Sequence, residues 1–386
     1  MTAVREMTIG AEDLARIESR LTSVRQALDA KGVPSLLVSG EEDVRFLAGC
    51  FGHDTRVLVT SSRAVIISDR RYEEYLAPWQ ECGACEVAIF NRPGQLDHIA
   101  SVLADEGLDT LGVQAAHLTL DAKASLESSL GAIELCPVHG LIATLRMRKS
   151  PDEIEAIERA IAVQTAALDA TLQDLRIGMR EGQVAARLIY EMRVRGAEGE
   201  AFEPIVASGP NASVIHHVPG RHPISPGVLL IDWGARVDGL CSDLTRTFFL
   251  GTPDDEMRRI YSVVAEAERA AIDACRAGTP TSEVDAAARE IIAAAGWGPQ
   301  FAHSVGHGLG RDVHERPFLG RDGEATVLEP GMVVTIEPGI YIPGRGGVRI
   351  EDDILVTEDG PRVLSEALDS SLDAALRPVP EGDEAR

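Results

Sequence analysis

The sequence predicts a two-domain protein, with a layered α/β domain over residues 1–148 and an α+β domain over residues 149–378 made of two related helix-helix-hairpin halves. Three observations lead to this fold class. Short apolar runs alternate with helical periodicity in the first part. A helix-start signal stands at Ser150, and a residue pattern recurs 100 positions later in the second part. Residues 379–386 are expected to form an acidic tail.

The charge balance limits the classes of partner. The 386 residues carry a net charge of −24 with a pI near 4.8, which argues against binding to nucleic acid or to an anionic membrane surface. The amino terminus has no apolar signal core, and no later run is long enough to span a bilayer. Six cysteines are scattered without a disulfide framework, and a cytoplasmic location fits them best. The lone pair Cys82 and Cys85 is interpreted as structural, not as a redox or zinc motif.

In residues 1–148, apolar positions spaced by three and four predict a first amphipathic helix, carried by Leu14, Ile17, Leu21, Val24 and Leu28. Predicted strands and two further helices follow in alternation: strands at Ser35–Val38, Val57–Val59, Ala64–Ile67, Val87–Phe90 and Thr110–Val113, and helices at Leu96–Asp105 and Leu120–Leu130. The histidines of this part occur singly, and no catalytic constellation is visible.

A second domain is expected to begin with a long helix at LRMRKSPDEIEAIERA. Ser150 suits the N-cap, Pro151 the first helical position, and Glu153 completes a capping box. The apolar face of this helix is predicted to continue until Gly178. The basic segment before Ser150 is interpreted as an exposed interdomain linker.

The same order of elements occurs twice in the second domain. Gly178, Val184, Ala186 and Gly196 recur 100 residues on as Gly278, Val284, Ala286 and Gly296. In both copies a long helix, a second helix and strand-like runs follow one another. This duplication predicts a pseudo-two-fold axis, with a possible site between the halves.

The stretch Val228–Leu250 is predicted to form a hairpin that carries two aspartates. Asp238-Gly239 is suited to a two-residue turn, which places Asp232 opposite Thr245. Asp243 then lies on the same face as Asp232. Two carboxylates among apolar neighbours would repel each other, and a cation between them would remove that cost. The alternative is a pair of surface aspartates near a turn.

A second hairpin repeats this arrangement with glutamates. The runs Val333–Ile342 and Val348–Val356 flank a loop that we centre on Arg345. In that register Glu337 pairs with Asp353, two positions from Glu351, so the side chains of Glu337 and Glu351 lie on the same face. Each half of the domain is thus expected to contribute one acidic pair.

Histidines concentrate beside these strands. FAHSVGHGLGRDVHE contains His303, His307 and His314, and its glycines predict a loop whose backbone passes close to another group. SGPNASVIHHVPG adds His216 and His217. Core histidines without function are the alternative. Four carboxylates and one imidazole suit two divalent ions, with manganese, cobalt or iron fitting best and zinc possible. Such a pair can convert a shared water into hydroxide at neutral pH.

The motifs LLIDWG, SDLTRTF, HSVGHGLG, TIEPGIY and GVRIEDD resemble those of the pita-bread metallopeptidases, in the Xaa-Pro aminopeptidase and prolidase branch. The resemblance covers nearly the whole chain, because that branch also has a creatinase-like α/β domain before a duplicated catalytic domain. It implies five metal ligands, which are Asp232, Asp243, His307, Glu337 and Glu351. It further implies catalytic roles for His216, His303, His314 and Glu337, and substrate contacts for Arg349 and His217. Tyr341 and Trp233 are expected to be packing residues.

The activity implied by this resemblance is hydrolysis of the peptide bond before a proline in second position, by a hydroxide that bridges two metal ions. A homodimer is also implied. The alternatives are a creatinase-like or ectoine-type hydrolase, a lyase of the same fold, a methionine aminopeptidase, or an interaction protein without catalysis. The sequence leaves open whether the substrate is a dipeptide or a longer peptide.

Overall fold

The computed structural model describes residues 9–321 and 326–379, so residues 380–386 of the expected acidic tail lie outside the described part. The chain divides after Arg146 into two compact units. Within the described ranges, no helix has the length and apolar character needed to cross a membrane.

The first unit contains one six-stranded sheet in the order β4-β3-β2-β1-β5-β6. Its strands are β1 Ser35–Val38, β2 Arg56–Thr60, β3 Ala64–Ser68, β4 Glu86–Ile89, β5 Thr110–Gln114 and β6 Glu134–Val138. Its helices are α1 Ala11–Lys31, α2 Glu41–Ala48, α3 Glu73–Cys82, α4 Arg92–Asp105, α5 Leu120–Leu130 and α6 Leu141–Arg146. β2 runs antiparallel to both β1 and β3, and the other pairs are parallel.

Apolar side chains cover both faces of this sheet. Leu36 and Leu37, adjacent in β1, belong to separate core clusters because successive strand residues point to opposite faces. The five predicted strands and three predicted helices are confirmed. The short helices α2, α3 and α6 and the strand β6 were not predicted from the sequence. Burial raises the pKa of the Cys85 thiol to about 12, which agrees with a structural interpretation of this cysteine.

The start of the second unit corrects two expectations. Helix α7, Pro151–Gln173, begins with the predicted capping box, in which Glu153 accepts from the backbone N–H of Ser150 at 3.2 Å. It ends five residues before Gly178, because the chain turns so that the Gly178 N–H donates to the carbonyl of Ile224. The basic segment before Ser150 is not uniformly exposed. Arg146 and Lys149 are both buried, each paired with a buried carboxylate.

The remaining helices and strands of this unit follow in two sets. Its helices after α7 are α8 Glu181–Val194, α9 Asp255–Ala274, α10 Thr281–Ala294 and α11 Leu372–Ala375. The first set of strands is β7 Gly199–Glu200, β8 Ile205–Ser208, β9 Gly227–Trp233, β10 Ala235–Val237, β11 Leu240–Cys241 and β12 Leu244–Leu250. The second set is β13 Gly306–Gly308, β14 Glu315–Leu319, β15 Val333–Ile336, β16 Gly339–Ile342, β17 Gly346–Arg349, β18 Asp352–Thr357, β19 Gly360–Val363 and β20 Leu376–Arg377.

The predicted duplication is visible in the backbone. Gly178 and Gly278 have φ angles of 91° and 89°, and Gly196 and Gly296 have φ angles of 104° and 96°. Each half places a helix pair against a sheet: α7 and α8 pack in one core cluster, and α9 and α10 in the other. The sheets β20-β12-β9-β8 and β14-β13-β15-β18-β19 lie between the two helix pairs. A β-bridge between Thr245 and Glu351 joins the two sheets.

The first hairpin has the predicted register. Asp232 lies opposite Thr245, and the turn residues Asp238 and Gly239 have φ angles of 50° and 75°. Both residues therefore adopt the left-handed conformation that a tight hairpin turn requires.

The second hairpin has a different register from the predicted one. Ile336 lies opposite Asp352 and Gly339 opposite Arg349, so Glu337 falls directly opposite Glu351. The cause is at the turn, where Gly346 pairs with Ile342 and leaves only three residues in the loop. Gly346 continues the strand at a φ of 140°, which other residue types rarely adopt.

Replacing Gly239 by alanine should lower the free energy of unfolding by ~1 kcal/mol, because a Cβ is unfavourable in the left-handed conformation at φ 75°. Urea denaturation would measure the effect. Gly220→Ala is the matched control, since the nearest heavy atom to its new Cβ lies 4.0 Å away and its φ is not positive. Equal stability of the Gly239→Ala variant and the unsubstituted protein would contradict the turn geometry.

Candidate metal centre

The two aspartates reach the centre from the first hairpin. Asp232 lies near the end of β9, and Asp243 directly precedes β12. Both are buried among apolar strand residues, with 8% and 4% of their surface exposed. The backbone N–H of Asp243 donates to Asp353 at 3.2 Å, which fixes the chain at that point. One carboxylate oxygen of each aspartate, Oδ1, has no hydrogen-bond partner although it is buried.

The two glutamates reach the centre from the second hairpin. Glu337 follows β15, and Glu351 precedes β18. Glu351 is held across the boundary between the halves, because Thr245 Oγ1 donates to its Oε2 at 2.6 Å. The Glu351 backbone N–H also donates to the carbonyl of Thr245 at 3.1 Å. The pseudo-two-fold arrangement therefore brings both acidic pairs to one place.

His307 stands on a short strand instead of the predicted loop. Its neighbours Gly306 and Gly308 lie so close to adjacent backbone that an added Cβ would be 1.9 Å from the carbonyl oxygen of Thr335 and 2.2 Å from that of Arg316. The expectation of a close backbone approach is thus confirmed, and its cause is the packing of β13 between two other strands. His307 Nδ1 lies 3.1 Å from the carbonyl oxygen of Gly308. A proton on Nδ1 would leave Nε2 free as a ligand.

The five predicted ligands form overlapping groups. Within each group, one ligand atom per residue lies within 4.8 Å of the others: Asp232, Asp243 and Glu351 in one, and His307, Glu337 and Glu351 in another. A third group joins Asp243, His307 and His314. His314, for which a catalytic role is expected, thus lies beside the predicted ligands, with its ring centroid 4.3 Å from that of His307.

Burial and mutual repulsion shift the pKa values of the acidic residues in this cluster. Burial, followed by the negative charges of its neighbours, raises the pKa values of Asp243 and Glu351 well above their ordinary range. Burial also raises the pKa of Glu337 to about 8 and lowers that of His307 to about 3. Cations would relieve the repulsion and partner the two unbonded aspartate oxygens. The donor set therefore fits divalent metal ions.

A chain of hydrogen bonds borders the centre. Arg349 donates to Asp232 Oδ2 at 2.6 Å, to Thr245 Oγ1 at 3.0 Å and to the hydroxyl of Tyr341 at 3.0 Å. The same hydroxyl lies 3.0 Å from His303 Nε2. Tyr341 thus contacts two predicted site residues, and the expectation that it serves only for packing is wrong. The sequence signal that could have indicated this role is its position on the same strand run as Glu337.

Trp233 agrees with its expected packing role. It is fully buried, and its indole N–H donates to the carbonyl of Gln164 at 3.0 Å.

The first-half histidines differ in their surroundings. His216 is exposed. Burial raises the pKa of Asp232, and the charge and hydrogen bond of Arg349 oppose this effect, with smaller contributions from His216 and His314. His217 turns its ring to Glu181, with Nε2 2.8 Å from Oε2. Burial and the positive charge of Arg349 lower the pKa of His303 to about 4, so its imidazole is neutral at pH 7.

Comparison with known proteins gives the class of this centre. Residues 155–358 match the model of metallopeptidase family M24, and residues 20–148 match the creatinase/prolidase N-terminal domain. Because the first match covers more than half of the chain, this protein belongs to metallopeptidase family M24. It is a hydrolase with the pita-bread fold and a creatinase-type domain before it.

Particular relatives extend over most of the chain. A Xaa-Pro dipeptidase of Pyrococcus horikoshii is 34% identical over 355 residues, covering 90% of this chain and 97% of that protein. Among solved structures, a Xaa-Pro dipeptidase from Bacillus anthracis is 36% identical with a TM-score of 0.86, covering 91% of this chain and 98% of the other. An X-Pro aminopeptidase from Thermotoga maritima is 31% identical with a TM-score of 0.82, covering 92% and 100%.

Replacing Thr245 by valine should weaken metal binding by about 10- to 100-fold, because the hydroxyl orients Glu351 and accepts from Arg349. Competition with a metal-sensitive dye would measure the affinity. Thr247→Val is the matched control, because the Thr247 hydroxyl bonds the backbone of Arg349 and no predicted ligand. An unchanged affinity in Thr245→Val would show that this contact does not support the centre.

The metal-free protein should lose stability as pH rises from 6.5 to 8, a window above the ordinary histidine pKa of 6.5, where the lowered pKa values of His303 and His307 no longer produce the opposite trend. Glu337 has a folded-state pKa of about 8, above its ordinary value of 4.5, so the folded chain binds more protons than the unfolded chain in this window. The stabilising contribution is present below the unfolded pKa and is lost as pH rises through the folded pKa. Melting temperatures of the chelated protein would show the decline, and saturating manganese should reduce it. A rising melting temperature over this window in the chelated protein would contradict the assignment.

Proposed function

We propose that this protein is a metal-dependent peptidase that cleaves the bond between a first residue and a following proline. The observation that carries this proposal is the complete donor set of four carboxylates and one imidazole within a family M24 fold. The proposed substrate is inferred from relatives. This chain matches two Xaa-Pro dipeptidases and an X-Pro aminopeptidase over most of its length.

In this proposal the metal ligands are Asp232, Asp243, His307, Glu337 and Glu351. Two divalent ions held there would polarise the scissile carbonyl and lower the pKa of a water molecule. Manganese is the proposed ion, because an oxygen-rich donor set with one imidazole suits it, although cobalt, iron and zinc suit the same residues.

The residues around the ligands have proposed roles in proton transfer and binding. Glu337 accepts a proton from the attacking water and returns it to the proline nitrogen as the C–N bond breaks. His216 and His314 donate hydrogen bonds to the substrate carbonyl or to the oxyanion that forms from it. Both ring nitrogens of His303 already bond to the chain, Nδ1 to the carbonyl of Ser304 at 2.8 Å and Nε2 to the hydroxyl of Tyr341 at 3.0 Å, so His303 acts in this proposal by fixing that hydroxyl. Arg349 orients Asp232 and contacts substrate, and Tyr341 holds both Arg349 and His303 in place.

The alternatives are not favoured. A creatinase-like hydrolase resembles this protein in fold but splits its bond without metal, whereas all five ligands are present and close together here. An interaction protein without catalysis would have no use for buried carboxylates that lack partners.

The cellular context is proposed on narrower grounds. A cytoplasmic location is supported by the free thiols of all six cysteines. A homodimer is supported by the resemblance to the Xaa-Pro branch alone.

The purified protein with manganese should hydrolyse an Xaa-Pro dipeptide or an Xaa-Pro tripeptide, and chelation should abolish turnover. Comparing the dipeptide with the tripeptide decides between dipeptidase and aminopeptidase. Bound metal without turnover of either peptide would overturn the proposed function.

The Asp243→Asn variant should lose metal and turnover together, because Asp243 belongs to two of the three overlapping groups of possible ligands. Asp238→Asn is the matched control, since Asp238 is an exposed aspartate in the turn of the same hairpin. A fully active Asp243→Asn variant would refute the proposed centre.

A further inference from the structure

A buried glutamate outside the metal centre accepts hydrogen bonds from residues that do not belong to its own helix. Glu181 is the first residue of α8, and none of its surface is exposed. A carboxylate at a helix N-terminus is stabilised by the helix dipole, and that alone would account for an acidic residue here. The three hydrogen bonds to its side chain, however, come from residues 27, 30 and 36 positions away.

All three partners belong to the loop that carries the first-half histidines. The backbone N–H of Ser208 donates to Glu181 Oε1 at 2.8 Å, and the side-chain amide of Asn211 donates to the same oxygen at 3.0 Å. His217 Nε2 lies 2.8 Å from Oε2. One carboxylate therefore fixes both ends of the segment 208–217. Because all three hydrogen bonds end on one fully buried carboxylate, they hold the loop firmly.

This arrangement changes the interpretation of the His216-His217 pair. The Nε2 of His217 bonds to Glu181, so its neighbour His216 is the residue of the pair that keeps the proposed contact with substrate. His217 thus connects Glu181 to His216 through one peptide bond. The expected substrate-contacting role of His217 is better explained as positioning.

The other half of the domain contains a comparable arrangement. Asp285, in the first half of α10 and fully buried, accepts from the backbone N–H of Val305 at 3.0 Å. Its partner Arg289 donates to the carbonyl of His303 at 2.8 Å. The two carboxylates do not occupy equivalent positions, since residues 181 and 281 are Glu and Thr. Each half nevertheless ties its histidine segment to a buried acid of its second helix.

We propose that Glu181 is a positioning residue that sets the place of the proposed catalytic residue His216 by holding Ser208, Asn211 and His217. This inference rests on the proposed peptidase function for its kinetic consequence. The structural consequence, an ordered segment 208–217, does not depend on which substrate is cleaved.

The kinetic test compares Glu181→Gln with the unsubstituted protein, both loaded with manganese. Glutamine keeps the shape and one acceptor oxygen but removes the charge. We expect kcat per metal-loaded molecule to fall by about 10- to 100-fold, with a much smaller change in KM, because the transition state loses a positioned histidine. Asn211→Ala should change kcat in the same direction by less, since it removes only one of the three bonds.

The matched control is Glu191→Gln. Glu191 lies on the same helix, is likewise buried and pairs with Arg187 and Arg195, away from the histidine segment. Its kcat per metal-loaded molecule should equal that of the unsubstituted protein. An unchanged kcat in Glu181→Gln, or an equal loss in Glu191→Gln, would overturn the positioning role.

Hydrogen exchange separates this inference from the proposed function. In Glu181→Gln, backbone amides of residues 208–217 should exchange about fivefold faster, because a neutral acceptor holds the Ser208 N–H less strongly. Metal content should not change. If the unsubstituted protein fails to cleave Xaa-Pro peptides, the proposed function fails, and faster exchange confined to this segment still supports the positioning role. Unchanged exchange in this segment would overturn it.

Discussion

The repulsion among four clustered carboxylates, three buried and one partly buried, is the constraint on which the second unit depends. Asp232 and Asp243 from one half meet Glu337 and Glu351 from the other, and burial raises the pKa of each. A folded chain would not bring such groups together without a compensating charge, since an isolated buried carboxylate is expensive. In the proposed centre divalent ions would supply that charge, and assembly of the two halves and metal binding would then be parts of the same equilibrium.

Hydrogen bonds join the two halves directly beside the proposed metal ligands. Thr245 of the first hairpin bonds Glu351 of the second through both side chain and backbone. Arg349 of the second hairpin bonds Asp232 of the first. Each ligand pair is therefore oriented by a residue of the opposite half, and a shift of one sheet against the other would displace ligands from both. Pseudo-symmetry thus accounts for the closeness of the donors as well as for their number.

Features that depend only on residues close together in the chain were predicted correctly from the sequence. Asp238-Gly239 determines its own turn, and the register of Asp232 against Thr245 follows from it. The second register was wrong because the glycine-rich loop allowed several turn lengths, and only Gly346 opposite Ile342 selects one. Glu181 was missed because its partners lie 27, 30 and 36 positions away in the sequence and meet it only through the packing of the helix on the sheet. The role of Tyr341 was missed because the bonds of its hydroxyl depend on His303, 38 positions away, as well as on the nearby Arg349.

The central claim is that these five residues bind a pair of ions between the two halves. Diffraction from crystals grown with manganese, measured at the manganese absorption edge, tests it most directly. We predict two anomalous peaks about 3.5–4 Å apart, surrounded by Asp232, Asp243, His307, Glu337 and Glu351. Manganese bound elsewhere, or no anomalous peak among these residues at saturating metal, would contradict it.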